Sequence, residues 1–315
     1  MDRNERWLTL IPGFSQDYFS LRNQPVVQPE IQAGYSQANA LLLAELSRWV
    51  YNADKEEERI HPAEIPHHNP YLHKAHLEEV QLFALDSAQA SIVRTLDKSC
   101  HILVFRGTSK MQDWMANLSA QAKRWGEHGM VHQGFMESFT PIWEQLEPVL
   151  EKIDTPIFYT GHSLGATHAT LAASLRPPLA LYTFGSPRVG DEEFVQSLEG
   201  IPIYRVVNGQ DIVPTLPVAG KPLHYVHAGE LIRFGRSLRW KLYRLLVNLR
   251  YAFRKRKFVT ETFPKLENPF APPPFLLDHA PYFYVRRLIY KYLDSAEEGE
   301  FDEMADEGFT LLESK

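Results

Sequence analysis

At 315 residues the chain is long enough for one large α/β domain or two ordinary ones, and its 44% hydrophobic and 23% charged residues exclude global disorder and a collagen-like fibre. A formal net charge of −6 argues against a broad basic footprint for nucleic acid, and the single cysteine, Cys100, excludes an intramolecular disulfide and any cysteine-rich zinc or iron–sulfur site. The opening MDRNERWLTL has no apolar signal core and no run of 18 apolar residues occurs, so the expectation is a soluble, cytoplasmic protein without a membrane span.

Residues 1–35 show no sustained period and read as an irregular surface leader. From Ala38 to Tyr51, the apolar Leu41, Leu42, Ala44, Leu46, Trp49 and Val50 recur at helical spacing. The charged, Pro-interrupted stretch 55–76 reads as a loop or short helices. Residues 80–85, 91–96 and 101–105 read as a three-stranded antiparallel meander. A helix follows over 134–153 despite Pro141 and Pro148. The chain then alternates: strand 157–160, helix 164–175, strand 179–184, helix 192–198, strand 201–207. That order predicts an α/β fold, a mostly parallel sheet with crossover helices after the meander. The segment PLHYVHAGELIRF at 222–234 reads as a sheet-edge strand. The whole is expected to form one domain with a core at about 78–293, decorated by a basic insertion at 231–260 and an acidic tail at 294–315.

The most informative piece is Gly161-His162-Ser163-Leu164-Gly165, between an apolar strand and an Ala- and Leu-rich helix. Isolated, the five residues would suit an ordinary turn. In a strand–turn–helix setting G-x-S-x-G is a nucleophile elbow: small residues at 161 and 165 relieve crowding, Ser163 projects above the sheet, and the Leu164 N–H points from a helix N-terminus at a developing oxyanion. A serine hydroxyl needs a general base, and the base an orienting carboxylate, in the chain order Ser, Asp, His. Asp191 opens a short helix and is explained as an N-cap. Asp211 follows a strand at the carboxyl edge, where sites of parallel sheets sit. Of the later histidines, packing or surface roles suffice for His224 and His227, whereas His279 follows a Pro-rich stretch and opens the last helix, so a loop can deliver it to Ser163. The turn Arg106-Gly107-Thr108 is the candidate second oxyanion donor, although a plain strand-end turn has the same look.

With these residues in view, the chain resembles the class 3 (fungal-type) lipase family of the α/β-hydrolase fold. The resemblance is carried by FRGT at 105–108, VHQGF at 131–135, TGHSLGA at 160–166, FGSPRVGD at 184–191, VVNGQDIVP at 206–214 and HAPYF at 279–283, in order over about 180 residues. It implies a triad of Ser163, Asp211 and His279, an oxyanion hole from Thr108 and Leu164, no metal or organic cofactor, and hydrolysis of carboxylic esters of glycerolipids. It also implies a helical lid over 110–118, where Met111, Trp114, Met115 and Leu118 share one stripe; an ordinary core-facing helix has the same stripe. The alternatives are a phospholipase acting at anionic membranes and a non-catalytic lipid-binding protein with a vestigial site. The sequence departs from secreted fungal members in having neither a signal-peptide pattern nor paired cysteines, and in its long basic insertion before His279.

Two further signals stand outside this constellation. Histidines 61, 67, 68, 73 and 76 match no metal motif and read as a solvated loop. Residues 231–260 hold ten Lys or Arg and no acid, with Leu238, Leu242, Leu245, Leu246, Leu249 and Phe253 on one helical arc. This suits either a surface helix paired with the nine acids of the tail or peripheral contact with an anionic membrane through 236–257; nucleic acid is not an expected partner. The pattern sets no oligomeric state.

Overall fold

The stretches ILVF at 102–105, IFY at 157–159 and ALYTF at 180–184 have no polar face, which requires a sheet covered on both sides. The computed structural model of the protein, which describes residues 17–20, 26–53, 69–86, 88–108, 121–217, 224–234 and 274–293, has that construction. In chain order the elements are α1 (Gln37–Trp49), α2 (Pro70–Lys74), β1 (Leu77–Ala84), β2 (Gln89–Thr95), β3 (His101–Phe105), β4 (Ala122–Arg124), β5 (Met130–His132), α3 (Gln133–Leu150), β6 (Ile157–His162), α4 (Leu164–Leu175), β7 (Ala180–Phe184), α5 (Glu192–Ser197), β8 (Ile203–Asn208), β9 (Glu230–Phe234), α6 (Pro274–Leu277) and α7 (Pro281–Leu293). The main sheet runs β1-β2-β3-β6-β7-β8-β9, antiparallel to β3 and parallel from there on, while β4 and β5 pair separately. This is the helix-flanked, mostly parallel α/β architecture that the sequence predicts.

Alternation along the strands divides the core in two. Leu103, Phe105, Tyr159, Leu181 and Ile203 face the layer containing Phe139 and Leu146 of α3, Leu171 of α4 and Phe194 of α5. Ile102, Val104, Phe158, Tyr182 and Val206 face α1 and α7, and these first and last long helices pack on each other. No helix among the described residues is long and apolar enough to cross a membrane.

Some expectations change. Among the described residues the edge strand is confined to β9, and of residues 224–229 only Val226 makes a bridge, to Gly190, so His224 and His227 do not lie on a strand. The β4–β5 pair went unforeseen because three-residue strands are too short to show a period. The leader is less superficial than expected: Tyr18, Phe19 and Val27 are buried in the α1 layer. Residues 110–118 with Met111, Trp114, Met115 and Leu118, the segment 236–257, the acidic tail and histidines 61, 67 and 68 lie outside the described residues.

Helix α1 starts at Ser36, whose side chain accepts the Asn39 N–H at 3.2 Å, and buries nearly its whole circumference, charges included. Arg48 Nε lies 2.8 Å from Glu45 Oε2, its Nη1 2.7 Å from Asp17 Oδ1, and its guanidinium 4.7 Å from the centre of the Tyr18 ring. Burial pushes the Glu45 carboxyl upward and Arg48 opposes that shift. Removing one member of such a pair leaves an uncompensated buried charge, so Arg48→Met should cost about 3–5 kcal/mol in urea unfolding. The double variant Glu45→Leu/Arg48→Met should recover most of that loss; a double variant as unstable as the single one would show that packing, not charge, is at stake.

Candidate active site

Strand β6 passes directly into α4 through Ser163, whose φ of 58° and ψ of −121° put a non-glycine residue in a rarely populated region. Close packing enforces the turn. A Cβ on Gly161 would collide with the Gly165 carbonyl oxygen, and one on Gly165 with the Phe105 carbonyl oxygen at the end of β3. The Ser163 N–H donates to Phe184 O at 2.9 Å, so the turn is fastened to the end of β7 as well. Leu164 opens α4, its N–H at the positive end of the helix. Because β3 and β6 pair in parallel with Phe105 opposite Gly161, the turn Arg106-Gly107-Thr108 runs alongside His162 and Ser163; a Cβ on Gly107 would come within 2.6 Å of His162 O. Of the two candidate oxyanion donors, Thr108 follows this turn and Leu164 follows the serine directly.

Asp211 and His279 meet in the buried interior. His279 Nδ1 lies 2.9 Å from both carboxylate oxygens of Asp211, so Nδ1 carries the proton and Nε2 is the basic nitrogen. Nε2 is itself buried, with no hydrogen-bond partner among the described residues. Asp211 Oδ1 accepts the Val213 N–H at 2.9 Å and Oδ2 the Tyr284 hydroxyl at 2.6 Å. Burial and the adjacent Asp211 hold Tyr284 well above the usual phenol range, which keeps it a donor. Gly185, at φ +60°, sits against the pair: a Cβ there would be 2.7 Å from Asp211 Oδ2 and 3.1 Å from the His279 ring.

The remaining candidates fall elsewhere. Asp191 caps α5, accepting the Phe194 N–H at 2.9 Å. His227 Nε2 donates to Pro214 O at 2.8 Å, supporting the segment after Asp211, and His224 is exposed beside Glu192. Among the described residues no group of three or more His, Cys, Asp or Glu is placed to hold a metal ion. Tyr284, Gly185 and Asp278 were not singled out from the sequence. Tyr284, five residues past His279 on the buried stripe of α7, was readable as core and gave no sign of its hydroxyl contact.

Residues 102–221 match the family model for lipase (class 3). The match takes in 120 of the 315 residues. The chain is 35% identical over 159 residues to "Lipase" of Rhizomucor miehei, covering 45% of this chain and 43% of that protein. It is 35% identical over 148 residues to "Secreted mono- and diacylglycerol lipase 1" of Fusarium solani, covering 42% and 41%. The crystal structure of lipase from Rhizopus microsporus var. chinensis superimposes with a TM-score of 0.48 at 26% identity, over 53% of this chain and 64% of that one. The chain thus spans less than half the length of these curated relatives.

Next to His279, Asp278 ties the turn before α7 to the loop that carries Asp211. Its carboxylate accepts the Gln210 N–H and lies 3.3 Å from Arg287, and its backbone carbonyl accepts Asn208 Nδ2 at 2.9 Å. Burial, opposed by Arg287 and the Gln210 N–H, pushes the carboxyl up to about 6. A carboxyl whose folded pKa exceeds its unfolded value binds its proton more readily in the folded state, so it favours folding at low pH and loses that contribution as pH rises from about 4 to about 6. Asp278→Asn should remove a fall in unfolding free energy of about 2–3 kcal/mol across that window, measured by urea titration at several pH values. An unchanged pH profile would show that Asp278 titrates normally.

Proposed function

We propose that the protein is a serine carboxylic-ester hydrolase acting on acylglycerol-type lipid esters through an acyl-enzyme. The observation that carries this reading is the buried Asp211–His279 pair, whose Nε2 has no partner among the described residues, beside the strained strand–helix turn at Ser163. Ser163 Oγ attacks the ester carbonyl carbon while its proton passes to His279 Nε2. Asp211 keeps the imidazole oriented and stabilises the imidazolium, with Tyr284 and the Val213 N–H holding the carboxylate. Thr108 and the Leu164 N–H stabilise the oxyanion. Collapse of the tetrahedral intermediate breaks the C–O bond, and the leaving alcohol takes the proton from Nε2. Water, deprotonated by the same nitrogen, then releases the fatty acid and returns the proton to Ser163. The names of the Rhizomucor and Fusarium relatives support lipid esters as the substrate class.

A second reading, phospholipase activity at an anionic surface, is favoured by the basic run at 231–260, each basic residue near such a surface being worth about 1 kcal/mol. Peripheral binding through 236–257 belongs to this proposal, as does a cytoplasmic location, with which a chain of one cysteine is compatible.

A fluorophosphonate probe should label the wild type and not Ser163→Ala, and hydrolysis of nitrophenyl esters, diacylglycerols and phospholipids should share that dependence. Asp211→Asn or His279→Ala should lower kcat by on the order of 10³-fold or more with little change in the thermal midpoint. Labelling that persists in Ser163→Ala, or full turnover in His279→Ala, would remove the assignment. Sedimentation with vesicles separates the two readings: binding to anionic but not zwitterionic vesicles, weakening with salt, is expected of the second.

A further inference from the structure

His162 precedes the candidate nucleophile on β6, and strand alternation turns its side chain away from Tyr159 and Gly161 toward the α1 and α7 layer. There it is fully buried among three rings, with centroids 4.6 Å from His279, 5.8 Å from Tyr284 and 6.1 Å from Tyr51. Its Nε2 lies 2.7 Å from the backbone oxygen of His279 and its Nδ1 2.9 Å from the Tyr51 hydroxyl. A carbonyl oxygen only accepts, so Nε2 carries a proton. Burial, reinforced by the neighbouring His279, pushes His162 well below the usual imidazole range; the ring is neutral, Nδ1 is an acceptor, and the Tyr51 hydroxyl donates to it. Tyr51 is in turn driven upward by burial and stays a phenol. The chain of donors from Tyr51 through His162 to the His279 carbonyl therefore has a single proton arrangement.

The same hydroxyl touches the oxyanion turn: a Cβ on Gly107 would collide with Tyr51 Oη. One phenol thus abuts the turn bearing Thr108 while it fixes the imidazole that grips the backbone of the candidate base. Packing alone gives no reason for a polar ring at 162, since an apolar side chain would fill the space without the cost of burying an imidazole, but it would leave the His279 carbonyl without its donor. A neutral ring is also the one that tolerates a neighbour at 4.6 Å which becomes cationic each time it takes the serine proton.

The geometry points to His162 and Tyr51 as positioning residues for the reaction: together they lock the His279 backbone and the oxyanion turn into one frame around Ser163. This rests on the esterase reading of the site. Misplacing a catalytic group by a fraction of an ångström to an ångström costs on the order of 10- to 100-fold in rate, so the effect belongs in kcat.

The test uses the full chain and a soluble short-chain nitrophenyl ester, with nitrogen-15 NMR of the histidines as a readout independent of turnover. His162 should show the neutral Nε2–H tautomer in the wild type and in Tyr51→Phe, with the Nδ1 resonance of the variant shifted by loss of the phenol's hydrogen bond. Tyr51→Phe should lower kcat about 10-fold with KM changed less than twofold. His162→Leu should lower kcat about 100-fold, and His162→Gln, whose amide can still donate to the His279 carbonyl, should recover to within about 10-fold of wild type. Wild-type kcat in Tyr51→Phe, a loss confined to KM, glutamine performing no better than leucine, or a wild-type Nδ1–H tautomer would each overturn the proposal. Should His162→Leu fail to fold, the Tyr51→Phe kinetics and the shift of its His162 Nδ1 resonance decide alone. An inactive wild type would defeat the esterase reading, while the NMR would still decide whether the donor chain exists.

Discussion

The packing of α4 directly against the ends of β3 and β6 is the constraint on which the rest of the site depends. Gly161, Gly165 and Gly107 each lie where a side chain would strike backbone or a buried hydroxyl, so three segments approach to a separation that only hydrogen at Cα allows. The unusual backbone angles at Ser163 are the cost of that approach, and the surrounding hydrogen bond to β7 and the helix that follows over-determine them. Its chemical consequence is local: a hydroxyl, a helix N-terminus and the turn after β3 are brought to one point by backbone geometry, with little left to side-chain flexibility.

The two faces of the sheet contribute differently to that point. The α3–α5 face is conventional apolar packing built on Phe105, Phe139, Tyr159 and Leu171. The α1 and α7 face carries polar groups deep in the interior: Thr160 bonded to Ser47 at 3.1 Å, the Glu45–Arg48 pair, His162, and Tyr284 against Asp211. Buried polar groups are costly unless fully paired, and when paired they fix geometry more narrowly than apolar contacts do. The candidate base emerges on this side, so its surroundings are specified by directional bonds.

Legibility in the sequence follows the same division. Helix α4 was predicted at 164–175 and forms there, and β6, β7 and β8 lie within two residues of their predicted spans, because apolar runs and helical period are encoded locally. The Ser163 turn was readable because its steric demand falls on residues two positions away. Asp211 and His279 were picked out by order and strand-end position, and the structure brings them within 2.9 Å of each other. Tyr51, His162 and Tyr284 were not legible in these roles: Tyr51 bonds His162 across 111 residues of sequence and Tyr284 bonds Asp211 across 73, and a one-dimensional pattern carries no trace of such bonds. The small β4–β5 pair was missed for the opposite reason, being too short for any period to register.

This division also bears on what residues 102–221 can do alone. Residues 102–221 contain Ser163, Leu164, Thr108 and Asp211, but the histidine that completes the arrangement and the tyrosine that holds Asp211 come from α7 and the turn before it, and Tyr51 comes from the end of the α1 segment. The first and last long helices pack on each other across the α1 and α7 face, which delivers His279 back to β6 and β8 and positions Tyr51 against His162. A chain cut to residues 102–221 would keep the Ser163 turn and lose His279, along with the apolar cover over Phe158, Tyr182 and Val206. The flanking helices are therefore part of the site's construction, because they close the core and carry the candidate base in the same stroke.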